Sequence, residues 1–510
     1  MTFFESLLLL LLLCIGLLQL SRRLLIPYPA MLAAAGMLVA LVPGAPAITI
    51  EPGTALALFV APALLDAAFD FPVNIARRFW QPLVVLAGVA VLCTTACVAF
   101  LGWWVAGLPV AAAMVLGAIV APPDAVAATA VTGTVSIPKN TLFVIKGESL
   151  FNDAVALLLF GAALAVQEHG GLDAMVTGRL LAAAPAAVLL GILLARLARL
   201  TTPLVSGTLG GNVLQFVSTC LVWVIADRLG VSAVLCVVAY AMTLARTQGG
   251  ASSPRMRVHS YAVWATVVFL LNVLAFLLMG MQARTIVARM QTIGLDDAAR
   301  FAGLVVGAVV VVRFVVVMIS NRLAARFPVY RGNAEPPTLR QGVLVGWCGM
   351  RGLVTLATAF ALPADFPKRD LVTLTAFAVV MATLVIQGLT LRPLIRLLRL
   401  DRNEEMAREL AMARFKLNKA GMMHLDGHDG PEAALLRAGY AMRLEETGSD
   451  GAEERHRALG LSAIAVERAK LEMMRVRHEL DAPTYDTLVE ELDWRELSLL
   501  PEAERRIEEN

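Results

Sequence analysis

Apolar runs of about 18 residues or more recur along the chain from residue 4 to residue 398. No soluble domain needs that much apolar surface, and 58% of the 510 residues are hydrophobic. The chain therefore reads as a polytopic membrane protein. Inside lipid a backbone must satisfy its own hydrogen bonds, which leaves helices or a closed barrel. Leu, Val and Ala are abundant and aromatic residues make up only 6%, so the expected fold class is all-α.

The first run, MTFFESLLLLLLLCIGLLQL, has Glu5 ahead of its core and Arg22-Arg23 behind it. A secretory signal carries its basic residues in front. The run is expected to be a first transmembrane helix that stays in place. Six cysteines are scattered with no CxxC pair, and they read as small buried hydrophobes.

Charge divides the chain in two. Residues 1–400 carry 27 Lys+Arg and 15 Asp+Glu; residues 401–510 carry 16 and 25. The expectation is a basic transmembrane domain over 1–400 and an acidic, helical, cytoplasmic domain over 401–510. The tail alternates amphipathic stretches with turn segments such as GHDGP and ETGSDG and has nothing that looks catalytic. The sequence pI of about 8.6 is no argument for nucleic acid, and none is expected as a partner.

About thirteen membrane segments can be marked, among them 54–71, 108–132, 141–165, 301–320, 340–361 and 370–398. The odd connections hold most of the basic residues, including Arg22, Arg77, Lys139, Arg196, Arg246 and Arg322. Positive residues stay inside. The N-terminus is thus expected outside and the tail in the cytoplasm, as an odd helix count requires. Segments 1–6 and 8–13 would then start on opposite sides, an inverted repeat of the kind common in secondary transporters.

A charge at the bilayer centre costs about 2.5–3.5 kcal/mol on insertion scales, so such residues normally face a bundle interior or a wet cavity. The candidates are Asp66, Asp70, Asp124, Glu148, Asp153, Arg313 and Arg351. In GESLFNDAVALLLF, Ser149, Asn152 and Asp153 lie at i, i+3 and i+4 on one helix face. That stripe offers a hydroxyl, an amide and a carboxylate, oxygen donors that suit a hard alkali cation. A carboxylate that takes either a cation or a proton couples the two by competition.

Asp124 sits in GAIVAPPDAVAATAV, where Pro122 and Pro123 remove two backbone donors and break the helix. Ala125, Ala127 and Ala128 would let another helix come close. Arg351 sits in VGWCGMRGLVTLATAFALP among Gly346, Gly349 and Gly352, and is expected to neutralise an acid, with Glu148 as a plausible partner. Arg313 in VVVVRFVVV is expected to form a charge-compensating pair. Asp66 follows Pro62 and could reach the same cavity; Asp70 reads as interfacial.

These residues resemble the monovalent cation:proton antiporters, the sodium–proton exchanger group. GESLFNDAVAL, APPDAVAATAV, GMRGLVTLATAFALP and SPRMRVHSYAVWATVVFLLNVLAFLLMGMQ carry the resemblance, which runs over most of residues 50–400. It implies thirteen membrane helices with a dimerisation part, hence a homodimer, and a core with two crossed, interrupted helices. It implies that Asp153 carries the ion and the proton, that Ser149 is a sodium ligand, and that Asn152 holds the site together. Backbone oxygens around Pro123 and Asp124, Asp66 on the third segment and the late Arg351 complete the match. The Asn-Asp pair implies electroneutral exchange of one cation for one proton. Lys146 stands where many bacterial relatives have an acid, and Ala265 follows Trp264 where an acid is frequent.

The expected function is therefore alternating-access antiport in the cell (inner) membrane, with sodium first and lithium or potassium as alternatives, and no cofactor. A potassium-selective exchanger or a cation channel of the same fold is the rival. An intramembrane aspartyl protease on Asp124 and Asp153 would want a GxGD motif, which the sequence lacks. An organic-solute transporter would want aromatic, hydrogen-bonding walls near these acids. No enzymatic activity is expected.

Overall fold

In a computed structural model the described residues are 3–24, 26–42, 51–69, 71, 76–77, 79–124, 139–169, 174–205, 208, 210–248, 254–289, 294–327, 336–399, 404–428, 430–446, 452–477 and 482–500. Asp70, Ala125, Ala127 and Ala128 lie outside them. Among the described residues every regular element is helical, as the all-α polytopic reading expects. The chain divides into two units, Met1–Asp401 and Arg402–Asn510.

The first unit contains α1 (Phe3–Leu24), α2 (Tyr28–Leu41), α3 (Pro52–Phe69), α4 (Trp80–Trp104), α5 (Val110–Val120), α6 (Lys139–His169), α7 (Ala174–Val205) and α8 (Gly210–Arg228). It continues with α9 (Ala233–Gln248), α10 (Pro254–Met281), α11 (Ala283–Arg289), α12 (Leu295–Arg326), α13 (Leu339–Trp347), α14 (Leu353–Phe360) and α15 (Arg369–Leu398). Among the described residues, eight helical spans are long and apolar enough to cross a membrane, and three apolar helices are shorter. The expected segment 108–132 holds α5, which stops at Val120, and the expected segment 340–361 holds the short pair α13 and α14. In α3, Pro62 follows a π-helical turn, Leu56–Val60, that contains Leu58, the residue whose carbonyl a proline at 62 crowds and leaves without its helical donor.

Lipid tails are as apolar as leucine, so helices in a membrane are held by close packing and polar contacts more than by withdrawal from water. Where α2 crosses α10, a Cβ added at Gly36 would strike the Leu277 carbonyl, and one added at Gly280 would strike the Ala33 carbonyl. The two backbones touch because both residues lack a side chain. Burial then sorts the helices. Within α15, 72% of the membrane-length window is buried, against 17% of the Ala182–Thr201 window in α7. The former lies inside the bundle, and the latter turns most of its surface outward.

The second unit is built from α16 (Glu404–Leu425), α17 (Pro431–Glu446), α18 (Ala452–Val476) and α19 (Ala482–Leu499). α16 packs on α17 with Gly421 against the Tyr440 ring. α18 packs on α19 through Ile464, Leu471 and Leu492. Arg468 bridges to Asp493 and Glu496, and Arg495 to Glu467, across that pair. The Arg475 guanidinium, by hydrogen bonding to Glu472, holds its carboxyl below the usual carboxylate range.

Candidate functional site

Two interruptions of helix meet inside the first unit. α5 ends at Val120, and residues 121–124 are not helical because Pro122 and Pro123 supply no backbone donor. α13 ends at Trp347 and α14 starts at Leu353, with residues 348–352 non-helical between them. The two breaks are bonded to each other: the Asp124 amide donates to the Met350 carbonyl at 2.7 Å. A third element steadies the crossing. The Arg351 amide donates to Thr383 Oγ1 at 3.0 Å, and Thr383 opens a π-helical turn of α15.

A helix that stops inside a membrane leaves carbonyls without donors and the negative end of its dipole uncompensated. Arg351 meets both needs. It is fully buried, its Nε donates to the Val120 carbonyl at 3.1 Å, and its Nη2 donates to the Ala121 carbonyl at 3.3 Å. Its Nη1 donates to the Gly349 carbonyl. One guanidinium thus serves the C-terminal ends of α5 and α13 together. The opposite pole is served by an acid. A Cβ added at Gly352, the residue just before α14, would overlap the Asp124 carboxylate, so this half-buried acid lies over the positive N-terminal end of α14.

α6 runs past the crossing as an unbroken helix of 31 residues. Asn152 is fully buried there, and its Nδ2 donates to the Pro123 carbonyl at 3.2 Å. That bond fixes which end of the amide is oxygen, and Asn152 Oδ1 is left buried with no hydrogen-bond partner among the described residues. Asp153 is 7% exposed. Among the described residues no basic side chain pairs with it, and the Asp124 carboxylate acts on it through space. Ser149 lies one turn earlier on this helix and is half-buried. Asp66 is half-buried on α3, which packs against α6. Pro123 is buried. The crossing therefore ties the Asn152 amide to the carbonyl of a broken helix, and the next residue of α6 is a buried carboxylate within electrostatic reach of Asp124.

The expected pairing of Arg351 with Glu148 is corrected by the structure. Glu148, 1% exposed, is taken by Arg313 in a bidentate pair: Nη1 to Oε1 at 2.5 Å and Nη2 to Oε2 at 3.1 Å. Arg313 Nη2 also donates to the Val345 carbonyl at 3.0 Å, so the pair ties α12, α6 and α13 together. Gly349 makes room for it, since a Cβ there would run into Arg313 Cδ and Nε. Arg351 does its work on carbonyls instead. Neither fact could be read from spacing, because Arg313 and Glu148 are 165 residues apart and only packing decides which arginine reaches the acid. Thr383 was also missed; an isolated threonine in an apolar run carries no signal.

Comparison with known proteins follows the same line. The family described as "Sodium/hydrogen exchanger, transmembrane" matches residues 8–397. A "Sodium, potassium, lithium and rubidium/H(+) antiporter" of Bacillus pumilus (strain SAFR-032) is 27% identical over 495 residues, covering 89% of this chain and 72% of that protein. The "Na(+)/H(+) antiporter NhaH" of Halobacillus dabanensis is 28% identical over 357 residues, covering 67% of this chain and 82% of that protein. Among solved structures, the sodium proton antiporter MjNhaP1 of Methanocaldococcus jannaschii has a similar fold, with a TM-score of 0.54 at 18% identity over 78% of this chain and 98% of that one.

Proposed function

Since the chain belongs to the sodium/hydrogen exchanger family, we propose that it exchanges a monovalent cation for a proton across the cell membrane, with Asp153 as the group for which the two compete. The observation that carries this reading is the state of Asp153: a buried carboxylate with no basic partner among the described residues, next to the unpartnered Asn152 Oδ1.

A deprotonated Asp153 takes a sodium ion together with Ser149 and backbone oxygen near Pro123. Asn152 holds α6 to the break, and Asp66, half-buried on the neighbouring α3, is assigned to the same ion path. The loaded core moves against a scaffold fixed by a second copy of the chain, releases the cation outside, accepts a proton and returns. The carboxylate crosses only when neutralised, because carrying a bare charge through the barrier costs several kcal/mol, about 2.5–3.5 on insertion scales. One charge in and one charge out makes the cycle electroneutral. Arg351 and Asp124 keep the broken-helix ends compensated, and Glu148 and Arg313 cancel one another, so of the two buried acids described on α6 Asp153 is the one left to change its partner. In this reading the N-terminus faces out and the tail faces the cytoplasm.

The test is proton flux in proteoliposomes, read with a pH-sensitive dye as Na⁺, Li⁺ or K⁺ is added, alongside current on a solid-supported membrane. Cation-dependent proton movement without current is the expected result, and the dye ranks the ions. Current that follows the cation without proton movement would replace the exchanger by a channel.

A further inference from the structure

The longest acid-free stretch of the acidic tail spans residues 410–425; two shorter ones are 433–444 and 455–466. Residues 411–425, AMARFKLNKAGMMHL, hold Arg414, Lys416 and Lys419 and neither Asp nor Glu, within a tail that has 25 acidic residues. They form the C-terminal two-thirds of α16. Met412, Phe415, Lys416, Lys419 and Met423 follow helical spacing and so share one face. Met412 is 61% exposed, Phe415 44% and Met423 62%, and both lysines are exposed. The other side of the helix is already in use, where Gly421 meets Tyr440 of α17.

We propose that this face of α16 docks on the anionic headgroups of the cytoplasmic leaflet, with Met412, Phe415 and Met423 entering the acyl boundary and Lys416 and Lys419 meeting phosphates. Over residues 411–425 this face mixes apolar and basic side chains with no acid, the composition of an interfacial helix; Glu405 and Glu409 precede it on the same face. The tail as a whole is acidic, with 25 Asp+Glu against 16 Lys+Arg, so it has no general attraction for such a surface, and the basic residues of this acid-free stretch supply a local one. Distance favours the bilayer over a protein partner. Only residues 400–403 separate Arg399 from Glu404, a tether of on the order of 15 Å, and Arg399 directly follows the last membrane-length helix. Three apolar side chains are too few for a stable protein interface, which needs about 1,000 Å². They suffice for a helix that a short tether already holds at the surface. The inference rests on the tail being cytoplasmic and is independent of the ion site.

The test uses the full-length protein in nanodiscs of phosphatidylcholine alone, or with about 30% phosphatidylglycerol, followed by hydrogen–deuterium exchange. In the anionic discs, amides of residues 411–425 are expected to exchange about tenfold more slowly than in neutral discs, an effect lost at high salt. The K416E/K419E variant is expected to lose the difference, and Phe415→Ser to reduce it. Exchange in α18 and α19 unchanged between variants shows that the tail is still folded. Equal exchange in both discs overturns the proposal: fast in both means a free face, and slow in both means a protein surface covers it.

Discussion

Glu148 and Asp153 are two buried acids five residues apart on one helix, and they are treated in opposite ways. Glu148 is gripped by both arms of Arg313. Asp153 has no basic partner among the described residues, and its charged neighbour is another acid, Asp124. A buried charge pair with good geometry stays as it is, because breaking it leaves a bare charge in a poor solvent. A buried acid without a partner gains whenever something positive arrives, be it a cation or a proton. The same residue chemistry is thus a strut at one position and a binding group at the other, and the arginine makes the difference.

The sharpest way to break this contrast is to neutralise each acid in turn. Asp153→Asn keeps the size and removes the charge; proton flux driven by any alkali cation is expected to fall to background, with size-exclusion behaviour in detergent unchanged. Exchange that survives in this variant ends the account. Glu148→Gln is expected to act on stability first, costing about 3–5 kcal/mol because Arg313 is left buried and unpaired. Thermal unfolding reads this as a lower midpoint, and the double variant Glu148→Gln/Arg313→Gln is expected to recover part of it. Should Glu148→Gln unfold at the wild-type temperature yet transport nothing, the two acids would not differ in the way described.

Smaller changes sharpen the picture around Asp153. Asn152→Ala removes the bond to the Pro123 carbonyl. The loss of one buried hydrogen bond, about 1–2 kcal/mol, is expected to raise the half-saturating cation concentration about fivefold to thirtyfold. An unchanged value would mean that this bond does not hold the site. The smallest effect belongs to Lys146, half-buried on α6 and seven residues before Asp153 on nearly the same face. Its positive charge stands about 10 Å along the axis from the acid and opposes cations that approach. Lys146→Gln is expected to lower the half-saturating concentration by a few-fold at low salt, with the gain shrinking as ionic strength rises. An effect independent of salt would assign Lys146 a packing role instead.

How much could be read without coordinates follows from where the information lies. Pro122-Pro123 and the glycines at 349 and 352 announce interrupted helices because those residues alter the backbone where they stand. Ser149, Asn152 and Asp153 share a face because helical spacing is local. The partner of Glu148 is a different matter. Arg313 and Arg351 are both arginines in apolar segments, and choosing between them needs the packing of α12 against α13 and the crossing of the two breaks. The role of Arg351 was hidden for the same reason. Carbonyls at a helix end are not residue types, so no sequence pattern shows that Val120, Ala121 and Gly349 converge on one guanidinium.

The most direct test of competition at Asp153 is calorimetric titration of the purified protein with sodium in two buffers of different protonation enthalpy, for wild type and Asp153→Asn. The difference between buffers counts protons released per cation bound. Release approaching one proton in wild type, with neither binding nor release in the variant, is the predicted result. Sodium binding that releases no proton, or that persists in Asp153→Asn, would contradict it.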